Sequence, residues 1–183
     1  MDSAARRKVR HQAESSGEIA ALAAPGEAET DGAEVIEAEG LHAFPAFFDP
    51  HVHLRTPGHE HKEDVETGSR AAVMGGVTAV FEMPNTKPLT TSPDALADKV
   101  RRARDRMFCD FAFYVGGTRE NIDDIPALER LEGVPGIKVF MGSSTGTLLV
   151  KDDEGLEQVI KAISRRAAFH AEDEDMLVAR KPQ

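Results

Sequence analysis

Cysteine is nearly absent from this sequence: Cys109 stands alone among 183 residues. One thiol excludes an internal disulfide framework and any zinc site built from several cysteines, so a metal held here must use histidine, carboxylate or a rarer ligand. The same scarcity fits a reducing cytoplasm. Long apolar runs are missing too. No stretch approaches the roughly 18 residues of a membrane span, and the start lacks the apolar core of a secretory signal. Basic charge is in short supply, with 22 Lys and Arg against 32 Asp and Glu, a net charge of −10 and a pI near 5.2. That balance argues against a general nucleic-acid or anionic-membrane surface and is ordinary for a soluble enzyme.

What is present divides the chain into three parts. Residues 1–16, with Arg6, Arg7, Lys8 and Arg10 among small and polar residues, show no apolar periodicity and are expected to form a disordered basic tail. A transit peptide is the alternative, weakened by Asp2 and Glu14. Residues 17–45 carry short alternating pieces separated by Pro25-Gly26 and Asp31-Gly32, the pattern of a small β piece. His42 falls there and reads as a surface or packing residue. From 46 to 183, apolar strand-like segments begin near 46, 77, 109, 136 and 167. Their spacing of about thirty residues is the length of one strand-helix unit.

Between these strands the helix signals are explicit. Residues 63–74 open with acids and stop at Gly75-Gly76. Ser92 and Pro93 have the chemistry of an N-cap and a first helical position. Further helices are expected at about 125–131, at 152–166 and after Glu172-Asp173-Glu174. Alternation of this kind implies a parallel sheet flanked by helices, either an open doubly wound sheet or a closed barrel. No glycine-rich phosphate loop follows the first strand, as a dinucleotide-binding sheet would require. Polar residues cluster instead at the carboxyl ends of several strands, which favours the barrel.

The most informative stretch is 44–55, Phe-Pro-Ala-Phe-Phe-Asp-Pro-His-Val-His-Leu-Arg. On a strand, His51 and His53 point to one side and Val52 to the other, so two imidazoles at a strand end make a chelate. A loop with two ordinary histidines is the plain alternative. A barrel would bring His170, at the end of the fifth strand, to the same mouth, and three imidazoles suit zinc. Lys138 needs its own explanation, since an ammonium is repelled by a divalent cation. A neutral amine that has added carbon dioxide becomes an anionic carbamate able to bridge two cations. The ordinary alternative is a lysine paired with a carboxylate such as Glu82.

Four motifs in order, Asp-Pro-His-Val-His-Leu-Arg (49–55), Glu-Met-Pro-Asn-Thr (82–86), Gly-Ile-Lys-Val-Phe-Met (136–141) and His-Ala-Glu-Asp-Glu (170–174), resemble the cyclic amidohydrolases and within them the dihydroorotase family. The resemblance runs from about Gly17 onward and implies about five of the eight βα units of a TIM-type (β/α)8 barrel, preceded by a remnant of an N-terminal β-sandwich. It implies that His51, His53, His170 and a carboxylated Lys138 hold a zinc pair, and that Arg55 and Asn85 hold the substrate carboxylate. Guanidinium forks match carboxylates bidentately, and an amide adds a further donor. The implied reaction is the reversible opening of dihydroorotate to carbamoyl aspartate, a step of pyrimidine synthesis.

The family's remaining metal histidine and its proton-shuttling aspartate come from the sixth and eighth strands. The residues up to Gln183 reach only the fifth. No catalytic residue is therefore assigned, Asp173 and Asp175 included, and the chain is expected to be a fragment or truncated product with at most trace activity. A hydantoinase or allantoinase is the runner-up, although hydantoinases tend to follow the fourth strand with a tyrosine-bearing turn where Gly142-Ser143-Ser144 stands here. A non-catalytic scaffold partner is the third possibility. Expected partners are a small-molecule substrate, a second copy of the chain, or an aspartate transcarbamoylase.

Overall fold

In a computed structural model of the chain, the described residues are 10–13, 19–24, 27, 31–42, 44–144 and 146–181. They fall into two compact units, Met1–Phe44 and Pro45–Gln183. No described helix is long and apolar enough to cross a membrane.

In the first unit, strand β1 (Arg10–Ala13) pairs antiparallel with β2 (Ile19–Ala23), with Arg10 opposite Ala23. The expectation of a disordered tail through residue 16 is corrected over Arg10–Ala13. A hairpin ladder is made by main-chain groups, so a segment without apolar periodicity still joins it when a partner lies close in sequence. The rest of the expected tail, 1–9 and 14–16, lies outside the described residues. The second alternating piece, from Glu34, forms no strand. Its chain turns at Ala38, whose carbonyl accepts from Leu41 N at 3.1 Å, and Gly40 takes a positive φ of 80°. Val35, Ile36 and Leu41 are exposed.

The second unit alternates strand and helix. Strands β3 (Phe47–Val52), β4 (Val77–Glu82) and β5 (Asp110–Phe113) form one parallel sheet in that order. Strands β6 (Val115–Gly116), β7 (Ile137–Phe140) and β8 (Ala167–His170) form another. Only Tyr114 separates β5 from β6. Its N–H donates to Glu82 O at 2.9 Å, while Gly117 N donates to Lys138 O at 2.9 Å. One extended stretch thus serves β4 with its first half and β7 with its second, and neighbour order follows chain order without reversal. A doubly wound sheet would reverse.

The helices start where their caps dictate. Asp64 accepts from Thr67 N at 2.8 Å and opens α1 (Val65–Met74), two residues later than the acids alone suggested. Ser92 caps α2 (Pro93–Ala103), with Pro93 at the first position. Asp152 caps α4 (Asp153–Ala162) and Asp173 caps α5 (Glu174–Arg180). The expected helix at 125–131 is shorter: a 3₁₀ turn (Arg119–Asp124) runs into α3 (Ile125–Leu128). Helix α4 also stops four residues short of 166. The buried carboxylate of Glu129 takes the N–H groups of Ser164 and Arg165 at 3.1 and 3.0 Å, and the chain leaves the helix there to enter β8.

The main core lies between the strands and helices. Ile137 and Val139 of β7 pack with Phe113, Val115, Leu96 and Val159. Each fully buried aliphatic or aromatic side chain contributes about 1.5–3 kcal/mol. Strand periodicity then sends Lys138 and Phe140 to the opposite face, where both are also buried. Val52 and Leu54 likewise join a cluster with Val65 and Val80, which turns His51 and His53 the other way.

Candidate metal centre

The imidazoles of His51 and His53 lie on one side of the end of β3, their ring centroids 5.3 Å apart. His53 Nδ1 is 2.8 Å from Asn85 Oδ1, in the loop after β4. With the amide oxygen as acceptor, Nδ1 carries the proton and the Nε2 lone pair stays free for a cation. Asn85 keeps its NH₂ group as a donor. His51 N donates to Asp49 Oδ1 at 2.9 Å, which fixes the main chain at the strand end.

His170 ends β8, directly opposite Phe140 in the ladder, and its ring stacks on the Phe140 ring at 5.9 Å with an 18° tilt. Its Nε2 is 2.7 Å from Glu172 Oε2. That bond leaves Nδ1 as the ring nitrogen without a partner among the described residues. Glu172 also accepts from Ser143 Oγ, and Ser143 N donates to Glu174 at 2.7 Å, so the loops after β7 and β8 are fastened together. Glu172 as the partner of His170 was not foreseen. The signal was present as a carboxylate two positions beyond a strand-end histidine, the usual arrangement behind a metal-binding imidazole.

Lys138 is 1% exposed, and its Nζ lies 4.8 Å from the centroid of the Phe140 ring. Among the described residues it has no ion pair and no hydrogen-bond acceptor. The carboxylate that might have neutralised it, Glu82, is instead 2.5 Å from Lys99 Nζ. Burial holds the Lys138 amine below its usual range, which favours the neutral form that reacts with carbon dioxide.

The four groups share one electrostatic neighbourhood. Burial and then the charge of Lys138 hold His51 below its usual range, with His170 adding to the effect and Asp49 opposing it. Burial lowers His53 as well, followed by Arg55, His51 and Lys138 against the opposing bond to Asn85. Burial, the largest cause at both histidines, favours the neutral imidazole, the form that binds metal. Among the described residues, no group of three or more His, Cys, Asp and Glu is arranged to hold a cation. The His51–His53 pair has no third ligand of those types in reach, His170 included, so the expected convergence of three imidazoles is not formed among the described residues. Neutral imidazoles completed by an anionic oxygen ligand are a donor set that suits zinc.

Arg55 follows the chelate in the left-handed region, with φ 63°. Its guanidinium has no hydrogen bond or ion pair with any described residue, while its charge is felt at His53. It is therefore available to an anionic ligand near His53.

Known proteins resemble the chain in sequence and in fold. The chain is 40% identical over 144 residues to dihydroorotase of Methanosarcina mazei, covering 78% of this chain and 31% of that one. It is 35% identical over 164 residues to allantoinase of Deinococcus radiodurans, covering 87% and 36%. Among solved structures it resembles L-hydantoinase (dihydropyrimidinase) from Arthrobacter aurescens, with a TM-score of 0.74 and 30% identity, covering 89% of this chain and 37% of that one. The chain thus spans about a third of the length of these relatives. Residues 42–180 match the amidohydrolase family, and the chain belongs to it.

Proposed function

We propose that these residues form the first part of a metal-dependent (β/α)8 barrel whose activity is that of a dihydroorotase, with His51, His53, His170 and carboxylated Lys138 as ligands of two zinc ions. The strand order supports the barrel, because a sheet that adds each parallel strand beside the last keeps one handedness and curls toward closure. The single observation that carries the metal reading is Lys138: a buried amine with no carboxylate partner, on the same side of the strands as the imidazoles.

When bound, a zinc pair supplies Lewis acidity toward a ring carbonyl and lowers the pKa of water. The chain's own groups bind and orient. Arg55 presents a fork to the carboxylate of the substrate, and Asn85, its oxygen committed to His53, donates its NH₂ to the same group. The hydrogen bonds of Asn85 and Glu172 hold His53 and His170 in the tautomers that direct Nε2 and Nδ1 to the cations.

Two measurements test this. In the presence of ¹³C-bicarbonate, the chain is expected to show a carbamate carbonyl signal that vanishes in Lys138→Met, together with bound zinc. A chain that holds zinc equally well after this substitution overturns the assignment. Turnover of dihydroorotate, hydantoin and allantoin by the natural protein carrying these residues decides the substrate. The allantoinase and hydantoinase likenesses keep the second reading alive, and hydantoin as the best substrate would establish it. Arg55, near His53 and without a partner among the described residues, favours a substrate bearing a carboxylate.

A further inference from the structure

One buried pair of charges takes no part in the site just described. Glu82 closes β4 and Lys99 lies on α2, each is 1% exposed, and their charged atoms are 2.5 Å apart. Lys99 Nζ also donates to Met83 O at 2.9 Å and lies 5.2 Å from the centroid of the Phe113 ring. Burial of this kind is costly and gives no general gain in stability over apolar side chains of the same size. What the pair touches explains its presence.

We infer that the Glu82–Lys99 ion pair is a positioning device that sets the loop after β3 against the loop after β4, and so fixes the His53–Asn85 contact and the aim of Arg55. Each half of the pair reaches one loop. Lys99 binds the carbonyl of Met83, two residues before Asn85, and Glu82 faces the other loop: burial pushes its carboxyl up, while Lys99 and then the main-chain N–H groups of Leu54 and Arg55 act to lower it. The strands beneath are already in register, with Val52 opposite Glu82 and Met83 N donating to Val52 O at 3.0 Å. Above that register the chain departs from regular pairing. Arg55 adopts φ 63°, a conformation that a non-glycine residue keeps only where its surroundings impose it. The buried Glu82, directly opposite Val52 in the ladder and sensing the main-chain N–H groups of Leu54 and Arg55, is part of that surrounding. The loops then meet in the 2.8 Å bond from His53 to Asn85.

This inference rests on the assignment of His53, Arg55 and Asn85 to a metal and substrate site, and its test separates the two. The chain is compared with the double variant Glu82→Met, Lys99→Met, whose side chains keep the volume and lose both charges, and with Glu82→Gln, which loses one. Helix content is followed by circular dichroism, zinc affinity by competition with a chromophoric chelator, and main-chain exchange by mass spectrometry. The expected result is retained helix content, zinc affinity weakened about tenfold, and amide exchange about tenfold faster at Leu54, Arg55, Met83 and Asn85 but not in α4. Should the double variant fail to fold, Glu82→Gln is expected to give the same ordering. Unchanged affinity and exchange overturn the inference, as does exchange that rises equally in α4, which would mark an ordinary core contact. If the unaltered chain binds no zinc that His51→Ala removes, the metal assignment fails, while the exchange comparison still decides the role of the pair.

Discussion

At the scale of single residues, the site divides into groups that announce themselves and groups that do not. The spacing of His51 and His53 around Val52 requires only strand periodicity, and the structure gives both rings one side while Val52 packs with Leu54, Val65 and Val80. Lys138 was ambiguous between a ligand and half of an ion pair with Glu82. The ambiguity could not be removed from the sequence, because the competing partner, Lys99, comes from a helix whose rotation decides whether its amine reaches the strand end. Glu172 was overlooked for a similar reason, since only the turn after β8 brings it back onto His170. Arg55 carries a prediction of its own. A lysine at this position keeps the charge and loses the planar fork, so Arg55→Lys in the natural protein is expected to raise KM for dihydroorotate about 10- to 100-fold with a smaller effect on kcat. Steady-state kinetics with dihydroorotate and with an uncharged cyclic amide checks it, because the uncharged substrate should be indifferent to the change.

At the scale of elements, helix starts were legible and helix ends were not. Asp64, Ser92, Asp152 and Asp173 each accept a hydrogen bond from a main-chain N–H of the first turn, a contact made within four residues of chain. The end of α4 depends on Glu129, which is fully buried and lies 35 residues before Ser164. Burial would push this carboxyl up, but the Ser164 hydroxyl and the N–H groups of Arg165 and Ser164 together hold it below its usual range. A carboxylate depressed in the folded state stabilises it above the unfolded pKa, and the contribution disappears as pH falls through the folded value. Replacing Glu129 by Gln leaves buried donors poorly matched, so a loss of about 1–3 kcal/mol at neutral pH is expected. The gap between the two proteins should close as the medium is acidified below the ordinary carboxylate range. Urea melts at pH 7 and in mild acid measure it. A gap that widens in acid would show that Glu129 is bound in its protonated form.

At the scale of the whole chain, the parallel order of five successive strand segments could be read from a repeat of about thirty residues, because each helix must return the chain to the same end of the sheet. The repeat says nothing about what lies beside the outermost strands. Among the described residues β3 pairs only with β4, and β8 only with β7, so each presents one unpaired row of main-chain groups. Phe47, Phe48 and Phe169 on these strands are exposed. Unpaired edges bearing aromatic side chains favour strand addition from another molecule, whereas a net charge of −10 opposes it by repulsion. The repulsion is screened within about 8 Å at physiological ionic strength, and edge pairing is a contact interaction that screening does not weaken. The isolated 183-residue chain is therefore expected to self-associate more strongly as salt is raised. Phe169→Lys, which places a charge on the β8 edge, should shift that association to higher protein concentration. Sedimentation velocity at two salt concentrations decides the matter, since association that weakens with salt would identify an electrostatic contact in place of the strand edges.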